Sequence, residues 1–203
     1  TSNRASQMGM VDVNCRALTA ITRLCLPYML DDSLVINVAS IAAFAPTPRM
    51  SVYSATKAYV LAPSKALHDE LRPRGIKVLA VCPGPMDTDF WNVAGVPEGK
   101  SRLIDKLPRE DPREVAEKSL RAAKRGKMVY AKSAVYKFYH VLSKVLPHGL
   151  LMEFTEVSNL GKRGGPCFPV CWEVFVWILC ARPKATWSGT PCAIWLCWSP
   201  SGG

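Results

Sequence analysis

The sequence predicts an α/β fold with a doubly wound parallel sheet. Two short apolar runs, "LVINVAS" (34–40) and "IKVLAVC" (76–82), carry hydrophobic residues at successive positions. Such runs are typical of strands that are buried on both faces of a sheet. Segments with helical periodicity flank and separate them. Strand and helix therefore alternate along the chain, which indicates parallel strands joined by crossover helices.

The first two helical segments have clear limits. The first covers 6–29, where apolar residues recur at spacings of three and four, and it ends near Pro27. The second covers 52–72. Pro63 lies well inside it, where a proline removes a backbone hydrogen bond and costs ~3 kcal/mol unless a kink accommodates it.

The next segments continue the alternation. Residues 111–126 predict a helix with Asp111 as its N-cap and Gly126 at its end. Residues 127–132 predict a third strand, and 134–147 predict a basic amphipathic helix. We expect the apolar face of that helix to pack on the sheet; its members are Val135, Phe138, Tyr139, Leu142, Val145 and Leu146.

Composition limits the classes of partner. The chain has 203 residues, with 26 basic and 16 acidic ones, for a net charge of +10. This charge suits anionic partners. The basic residues are spread along the chain, so we expect no nucleic-acid binding. The sequence shows no leader segment after Thr1 and no long uncharged apolar run, so we expect a cytoplasmic protein without a transmembrane helix.

The composition changes near residue 161. Five of the eight cysteines and five of the six tryptophans follow it, at spacings that match no paired zinc motif. We therefore expect one domain over residues 1–160 and a Cys/Trp/Pro-rich tail over 161–203 that is non-native or disordered. We expect no metal site.

Tyr53 and Lys57 are the first candidates for chemistry. They stand four residues apart in "SVYSATKAYV", so their side chains share one face of the second helix. An ammonium ion beside a phenol favours the phenolate and lowers its pKa from about 10, as acid–base chemistry near neutral pH requires. Taken alone, however, the pair is more typical of a buried tyrosine beside a solvated lysine.

Polar residues near the strand ends strengthen the case. Ser40 closes the first strand, at the edge where parallel sheets present side chains to a crevice. It could orient a carbonyl oxygen or simply make a turn hydrogen bond. Asn14 lies inside the first helix, where an asparagine needs a partner. In "CPGPMDT" (82–88), Gly84 permits a tight turn and Thr88 adds a hydroxyl.

Four motifs together indicate a family. In this order and spacing, "VNCRAL", "VINVAS", "YSATK" and "CPGPMDT" resemble the short-chain dehydrogenase/reductase family, over roughly residues 5–158. The resemblance implies a Rossmann-like sheet and hydride transfer between NAD(P) and an alcohol/carbonyl pair, the hydride chemistry belonging to the cofactor. It also implies a small-molecule substrate and a homo-oligomer in the full-length form.

The resemblance assigns catalytic roles to four residues. Tyr53 looks like the acid/base that exchanges a proton with the substrate oxygen. Lys57 looks like the residue that binds the nicotinamide ribose and lowers the tyrosine pKa. Ser40 resembles the residue that orients the substrate oxygen, and Asn14 the one that supports a proton relay through water and the lysine.

The resemblance also implies a cofactor loop and a substrate pocket. Pro83, Gly84 and Thr88 match the loop that covers the nicotinamide and, with Tyr53 and Lys57, complete the implied cofactor contacts. Specificity would come from the irregular segment that follows. There Phe90 and Trp91, together with Ser40, suggest a pocket for a lipophilic alcohol or carbonyl, or else only cap the core.

Other family features are missing from the sequence. Members begin with a strand, a Gly-rich phosphate loop and a helix, whereas the only glycine cluster here, at 161–165, follows no strand. We therefore expect an N-terminally truncated chain that holds only the C-terminal half of the sheet, with a bare edge on the strand at 34–40. The determinants that select NAD or NADP would be absent; resemblance to lipid-type reductases slightly favours NADP.

Two other functions stay open at this point. The chain could be an inactive remnant or interaction fragment that keeps the site without binding cofactor. It could also associate with a membrane surface through the basic helix at 134–147 and the aromatic tail.

Overall fold

A parallel three-stranded unit forms the centre of the computed structural model, which describes residues 4–86, 107–155, 176–179 and 193–194. Strands β1 (Leu34–Val38), β2 (Lys77–Val81) and β3 (Val129–Tyr130) lie in the order β3-β2-β1. Both pairings are parallel, with Ile36 beside Leu79 and Ala80 beside Val129. The predicted α/β fold with a parallel sheet is confirmed.

Two further strands extend the sheet beyond β1. Strand β4 (Val176–Leu179) pairs antiparallel with β1, and β5 (Ala193–Ile194) pairs antiparallel with β4. The expectation of a bare edge on β1 is therefore wrong. The outer backbone groups of β1 form a ladder with a short apolar segment from the tail, which removes the exposed donors and acceptors of an unpaired edge.

The first helix is continuous but changes its winding. Helix α1 (Arg4–Val11) passes through a π-helical stretch, Asp12–Ala17, into α2 (Leu18–Cys25). The predicted segment 6–29 is thus helical apart from its end, where a short 3-10 turn takes over. π-Turns of this kind are rare and are often found at functional sites.

The remaining helices follow the predictions closely. Helix α3 (Ser51–Glu70) continues through Pro63. Helix α4 (Pro112–Lys124) begins after Asp111, whose side chain accepts a hydrogen bond from the N–H of Arg113 at 2.9 Å, as an N-cap does. Two shorter helices complete the described chain, α5 (Ala134–Val145) and α6 (His148–Thr155).

Each face of the sheet carries its own core. Because successive strand residues point to opposite faces, β1 and β2 divide their side chains between two helix layers. On one side, Val35, Val78 and Ala80 join the layer of α2 and α3; on the other, Ile36, Leu79 and Val81 join α4. The C-terminal ends of β1 and β2 lie between these layers.

Helix α5 does not pack as its sequence pattern predicts. Tyr136 and Ser143 are its buried residues, whereas Val135, Phe138 and Val145 are exposed. The expectation that its apolar face packs on the sheet is therefore wrong for those three side chains. Tyr139, from the same predicted face, does pack against the core beside α3. Within the described part of the chain, no helix is long and apolar enough to cross a membrane.

Candidate active site

Three sequence-predicted residues meet at the C-terminal end of β1. Ser40 follows that strand, and its Oγ accepts a hydrogen bond from the N–H of Ala42 at 3.2 Å. Tyr53 and Lys57 lie one turn apart at the start of α3, which packs on the turn after Ser40. A hydrogen bond between the Ser40 and Tyr53 side chains connects the two elements. The structure therefore brings the serine, the phenol and the lysine together.

Lys57 is held in a defined position. Its side chain is buried, and its Nζ donates a hydrogen bond to the carbonyl oxygen of Val38, the last residue of β1, at 3.1 Å. The same Nζ lies 5.9 Å from the centroid of the Tyr53 ring. Because a buried ammonium ion needs compensating polar contacts, this carbonyl fixes the positive charge at the strand end.

The pKa of Tyr53 moves opposite to expectation. Burial raises it to about 12, and the hydrogen bond with Ser40 only partly offsets this. Desolvation of the buried phenolate is the largest cause and outweighs the lowering expected from the Lys57 ammonium ion. At neutral pH Tyr53 is therefore a protonated phenol that can donate its proton.

Asn14 connects the π-helical stretch to the helix that carries Tyr53. It is buried, and its Nδ2 donates a hydrogen bond to Thr56 Oγ1 at 3.1 Å. That hydroxyl in turn donates to the carbonyl oxygen of Tyr53 at 2.9 Å. Asn14 thus has the partner that an asparagine inside a helix requires, and Thr56, which the sequence did not single out, is the connecting residue.

Cys82 is a second neighbour that the sequence analysis missed. It is completely buried directly after β2, and a hydrogen bond from the Ser40 backbone reaches its thiol. Burial raises the pKa of the thiol to about 12, with Lys65 and Lys57 acting in the opposite direction. It is therefore a neutral thiol that packs behind the serine and the phenol.

The loop after β2 is fixed from both sides. The carbonyl oxygen of Pro83 accepts a hydrogen bond from the N–H of Ile41 at 3.1 Å, which joins it to the turn after Ser40. The N–H of Gly84 donates to Glu110 Oε2 at 3.1 Å. Tyr136 covers Gly84 so closely that a Cβ there would overlap its ring. Only glycine fits this position.

Glu110 and Tyr136 belong to the same supporting structure. Glu110 is 3% exposed, and its N–H donates to the carbonyl oxygen of Pro85 at 2.9 Å. Tyr136 is 1% exposed, and its hydroxyl donates to the carbonyl oxygen of Pro108 at 2.7 Å. Hydrogen bonds therefore connect the loop at 83–85 to residues 108–110, and Tyr136 packs against both segments.

Burial dominates the electrostatics of the Glu110 carboxyl group. Burial raises the pKa of its carboxyl group, while the Gly84 N–H and the Lys132 ammonium ion act against that rise. Among the described residues, its Oε1 has no hydrogen-bond partner. Lys132 is shared with Glu114, which also binds Lys118; these contacts lower the pKa of the exposed Glu114 carboxyl to about 2.

Three candidate residues, Thr88, Phe90 and Trp91, lie outside the described residues. Of the remaining candidates, Ser40, Tyr53, Lys57, Pro83 and Gly84 lie around the ends of β1 and β2, and Asn14 contacts α3 through Thr56. A search of the described ranges finds no cluster of metal-ligating side chains.

Comparison with known proteins identifies the class. The family profile described as short chain dehydrogenase matches residues 2–97. An uncharacterized oxidoreductase of Staphylococcus epidermidis is 41% identical over 81 residues, which are 39% of this chain and 35% of that protein. One from Staphylococcus aureus strain N315 is 36% identical over 122 residues, 59% of this chain and 49% of that protein.

A solved structure extends the similarity to the fold. The short-chain dehydrogenase from Sphingobium yanoikuyae in complex with NADPH aligns with a TM-score of 0.55 and 29% identity, covering 75% of this chain and 58% of that one. These similarities support a member of the short-chain dehydrogenase/reductase family. It spans between about a third and half of the length of the curated relatives described above, 35% of one and 49% of the other.

Proposed function

We propose that the chain is the catalytic part of an NAD(P)-dependent oxidoreductase that interconverts an alcohol and a carbonyl compound. The observation that supports this proposal best is the convergence of Ser40, Tyr53 and a buried Lys57 at the C-terminal end of β1. The carboxyl ends of parallel strands are where α/β proteins bind ligands.

The donors at this edge fit the nicotinamide end of a dinucleotide. A buried ammonium ion beside a phenol offers donors of the kind that a ribose diol accepts, and the Pro83–Gly84 loop lies next to them. Among the described residues, no glycine-rich loop follows a strand to hold a pyrophosphate. When bound, the nicotinamide supplies or accepts the hydride. The NADPH bound to the Sphingobium enzyme supports a slight preference for NADP.

The protein's part in the reaction is proton transfer and orientation. Ser40 and the protonated Tyr53 both present hydroxyl groups to one carbonyl oxygen, and Tyr53 gives its proton to that oxygen during reduction. Lys57 keeps positive charge near the phenolate that forms, which stabilises it in a buried site. Asn14 steadies the backbone of Tyr53 through Thr56.

The substrate class is a further part of the proposal. Phe90 and Trp91 in the segment after the loop favour a small lipophilic alcohol or carbonyl compound. We propose that the reaction takes place in the cytoplasm and, as the family resemblance implies, in a homo-oligomer of the full-length protein.

Cofactor binding separates this proposal from a non-enzymatic remnant. The purified chain is titrated with NADPH and NADH while nucleotide fluorescence is followed, with Lys57→Met as the variant and Lys127→Met as the matched surface control. The proposal predicts saturable binding that weakens in Lys57→Met alone. Absence of saturable binding in the wild-type chain would instead support an interaction fragment.

A further inference from the structure

We propose that the exposed face of α5 is a docking surface for an anionic lipid bilayer. The inference is independent of the proposed redox chemistry and rests on a stripe of four exposed side chains, called here the α5 stripe. Its members are Val135, Phe138, Val141 and Val145, which are 50%, 66%, 60% and 75% exposed. Their spacings of three and four place them along one side of the helix.

The opposite side of α5 fixes the direction of the stripe. His140 stacks on Phe44 with ring centroids 4.3 Å apart, and Tyr139 lies against the same ring at 6.1 Å. Tyr136 is buried and hydrogen-bonded to Pro108. Because these contacts hold the inner face, α5 cannot rotate to bury the stripe in its own core.

The positive charge beside the α5 stripe favours an anionic partner. The segment 131–152 contains no acidic residue, whereas it contains three lysines. Lys137 and Lys144 are exposed along one edge of the stripe, and among the described residues neither forms an ion pair. Apolar side chains edged by lysines fit the boundary between acyl chains and anionic headgroups.

The same charges disfavour a second copy of the chain. If two α5 helices packed antiparallel through their stripes, the lysine edge of one would face the lysine edge of the other. Such like-charge contacts oppose association. A helix of 12 residues is about 18 Å long, so it can lie on a bilayer but not cross it. Leu150 on α6, 49% exposed, adds an apolar side chain just after the helix.

The test is co-sedimentation of the whole 203-residue chain with vesicles. Vesicles of equal parts phosphatidylcholine and phosphatidylglycerol are compared with phosphatidylcholine alone. We expect binding to the anionic vesicles that falls at raised salt. Phe138→Ser with Val145→Ser should weaken it at least about tenfold. Lys137→Ala with Lys144→Ala should weaken it on the order of 25-fold, about fivefold for each lysine.

Matched controls keep the result specific to α5. Leu24→Ser removes an exposed apolar side chain from α2, where Leu24 is 70% exposed, and Lys127→Ala removes an exposed lysine outside α5. Both should bind as the wild type does, and circular dichroism verifies that every variant is folded. Equal binding by the stripe variants and the wild type would overturn the proposal. So would a wild-type dimer that Phe138→Ser converts to a monomer while vesicle binding is absent.

Discussion

The carboxylate of Glu110 accepts a hydrogen bond from the backbone N–H of Gly84 at 3.1 Å, across 26 positions of sequence. This contact ties the loop after β2 to the residue that precedes the N-cap of α4. A buried carboxylate therefore holds the loop that borders the candidate site at the strand ends.

Glu110 should make stability fall as pH rises. Its pKa is raised in the folded state, so the folded protein binds more protons than the unfolded chain between the unfolded value, near 4.3, and the folded value. Its contribution is present below the unfolded pKa and is lost as pH rises through the folded one. Urea unfolding across this range should show the loss in the wild type and not in Glu110→Gln.

The amide variant is also a control for the hydrogen bond. Glu110→Gln keeps an oxygen that can accept from Gly84, whereas Glu110→Ala leaves a donor without its partner and should cost about 1–3 kcal/mol. A wild type whose stability increases relative to Glu110→Gln with rising pH would contradict this account of the carboxyl group.

Gly84 should tolerate no side chain. A Cβ at this position overlaps the ring of Tyr136, which is itself fixed by its hydrogen bond to Pro108, so Gly84→Ala should destabilise the fold by about 1–3 kcal/mol. Gly149→Ala, where a Cβ meets nothing within 4 Å, is the matched control. Thermal unfolding compares the stability of the two variants. If the Tyr136 ring is the cause, Gly84→Ala should lose less stability in a Tyr136→Leu background than in the wild type. An equal loss of stability in both backgrounds would refute this explanation.

Pairing with β4 should slow the hydrogen exchange of backbone amides in β1. Trp177 is in register with Ile36, a position whose backbone groups face β4 because the alternate positions Ser33 and Ala39 bond to β2. A proline at 177 therefore removes one backbone donor from the antiparallel ladder. Trp177→Pro should speed hydrogen exchange in peptides that contain Leu34–Val38, whereas Trp177→Leu, which keeps its N–H, should not. Equal exchange in both variants and the wild type would mean that the tail does not cover this edge in solution.

The elements with local signals could be predicted, and the contacts between distant segments could not. The apolar runs of β1 and β2 and the cap at Asp111 depend on neighbouring residues, so the sequence alone indicates them. Glu110 and Tyr136 become important only when the fold brings them to Gly84. Glu110 stands among other charged residues in "PREDPREV", and Tyr136 resembles any apolar residue of an amphipathic helix.

The wrong expectations for the Tyr53 pKa and for the edge of β1 both arose because they depend on contacts between segments that are distant in sequence. The spacing of Tyr53 and Lys57 shows that their side chains share a face, but the phenol pKa is raised because the folded chain buries the ring, which spacing along a helix cannot show. Likewise, the edge of β1 that we expected to be bare is paired with residues 176–179 of the tail, and nothing local in that segment indicates β1 as its partner.

The raised pKa of Tyr53 predicts a directional pH dependence. With a pKa of about 12, the phenol is protonated at neutral pH, so carbonyl reduction should vary little with pH there. Alcohol oxidation needs the phenolate, so its rate should rise by about tenfold for each pH unit below the pKa. Initial rates in both directions over mildly alkaline pH check this; an oxidation rate that levels off near pH 7 would mean that the phenol ionises far more easily in the working complex.

Hydride transfer by Tyr53→Phe is the most direct test of the proposed chemistry. The wild-type chain and the variant are given NADPH with a panel of lipophilic ketones and aldehydes, and loss of the reduced nucleotide is followed. Tyr59→Phe, which removes the hydroxyl of an exposed tyrosine on the same helix, is the control. We predict wild-type activity in Tyr59→Phe and a loss of about 100-fold or more in Tyr53→Phe with cofactor binding retained. Equal rates in Tyr53→Phe and the wild type would contradict the assignment of Tyr53 as the proton donor.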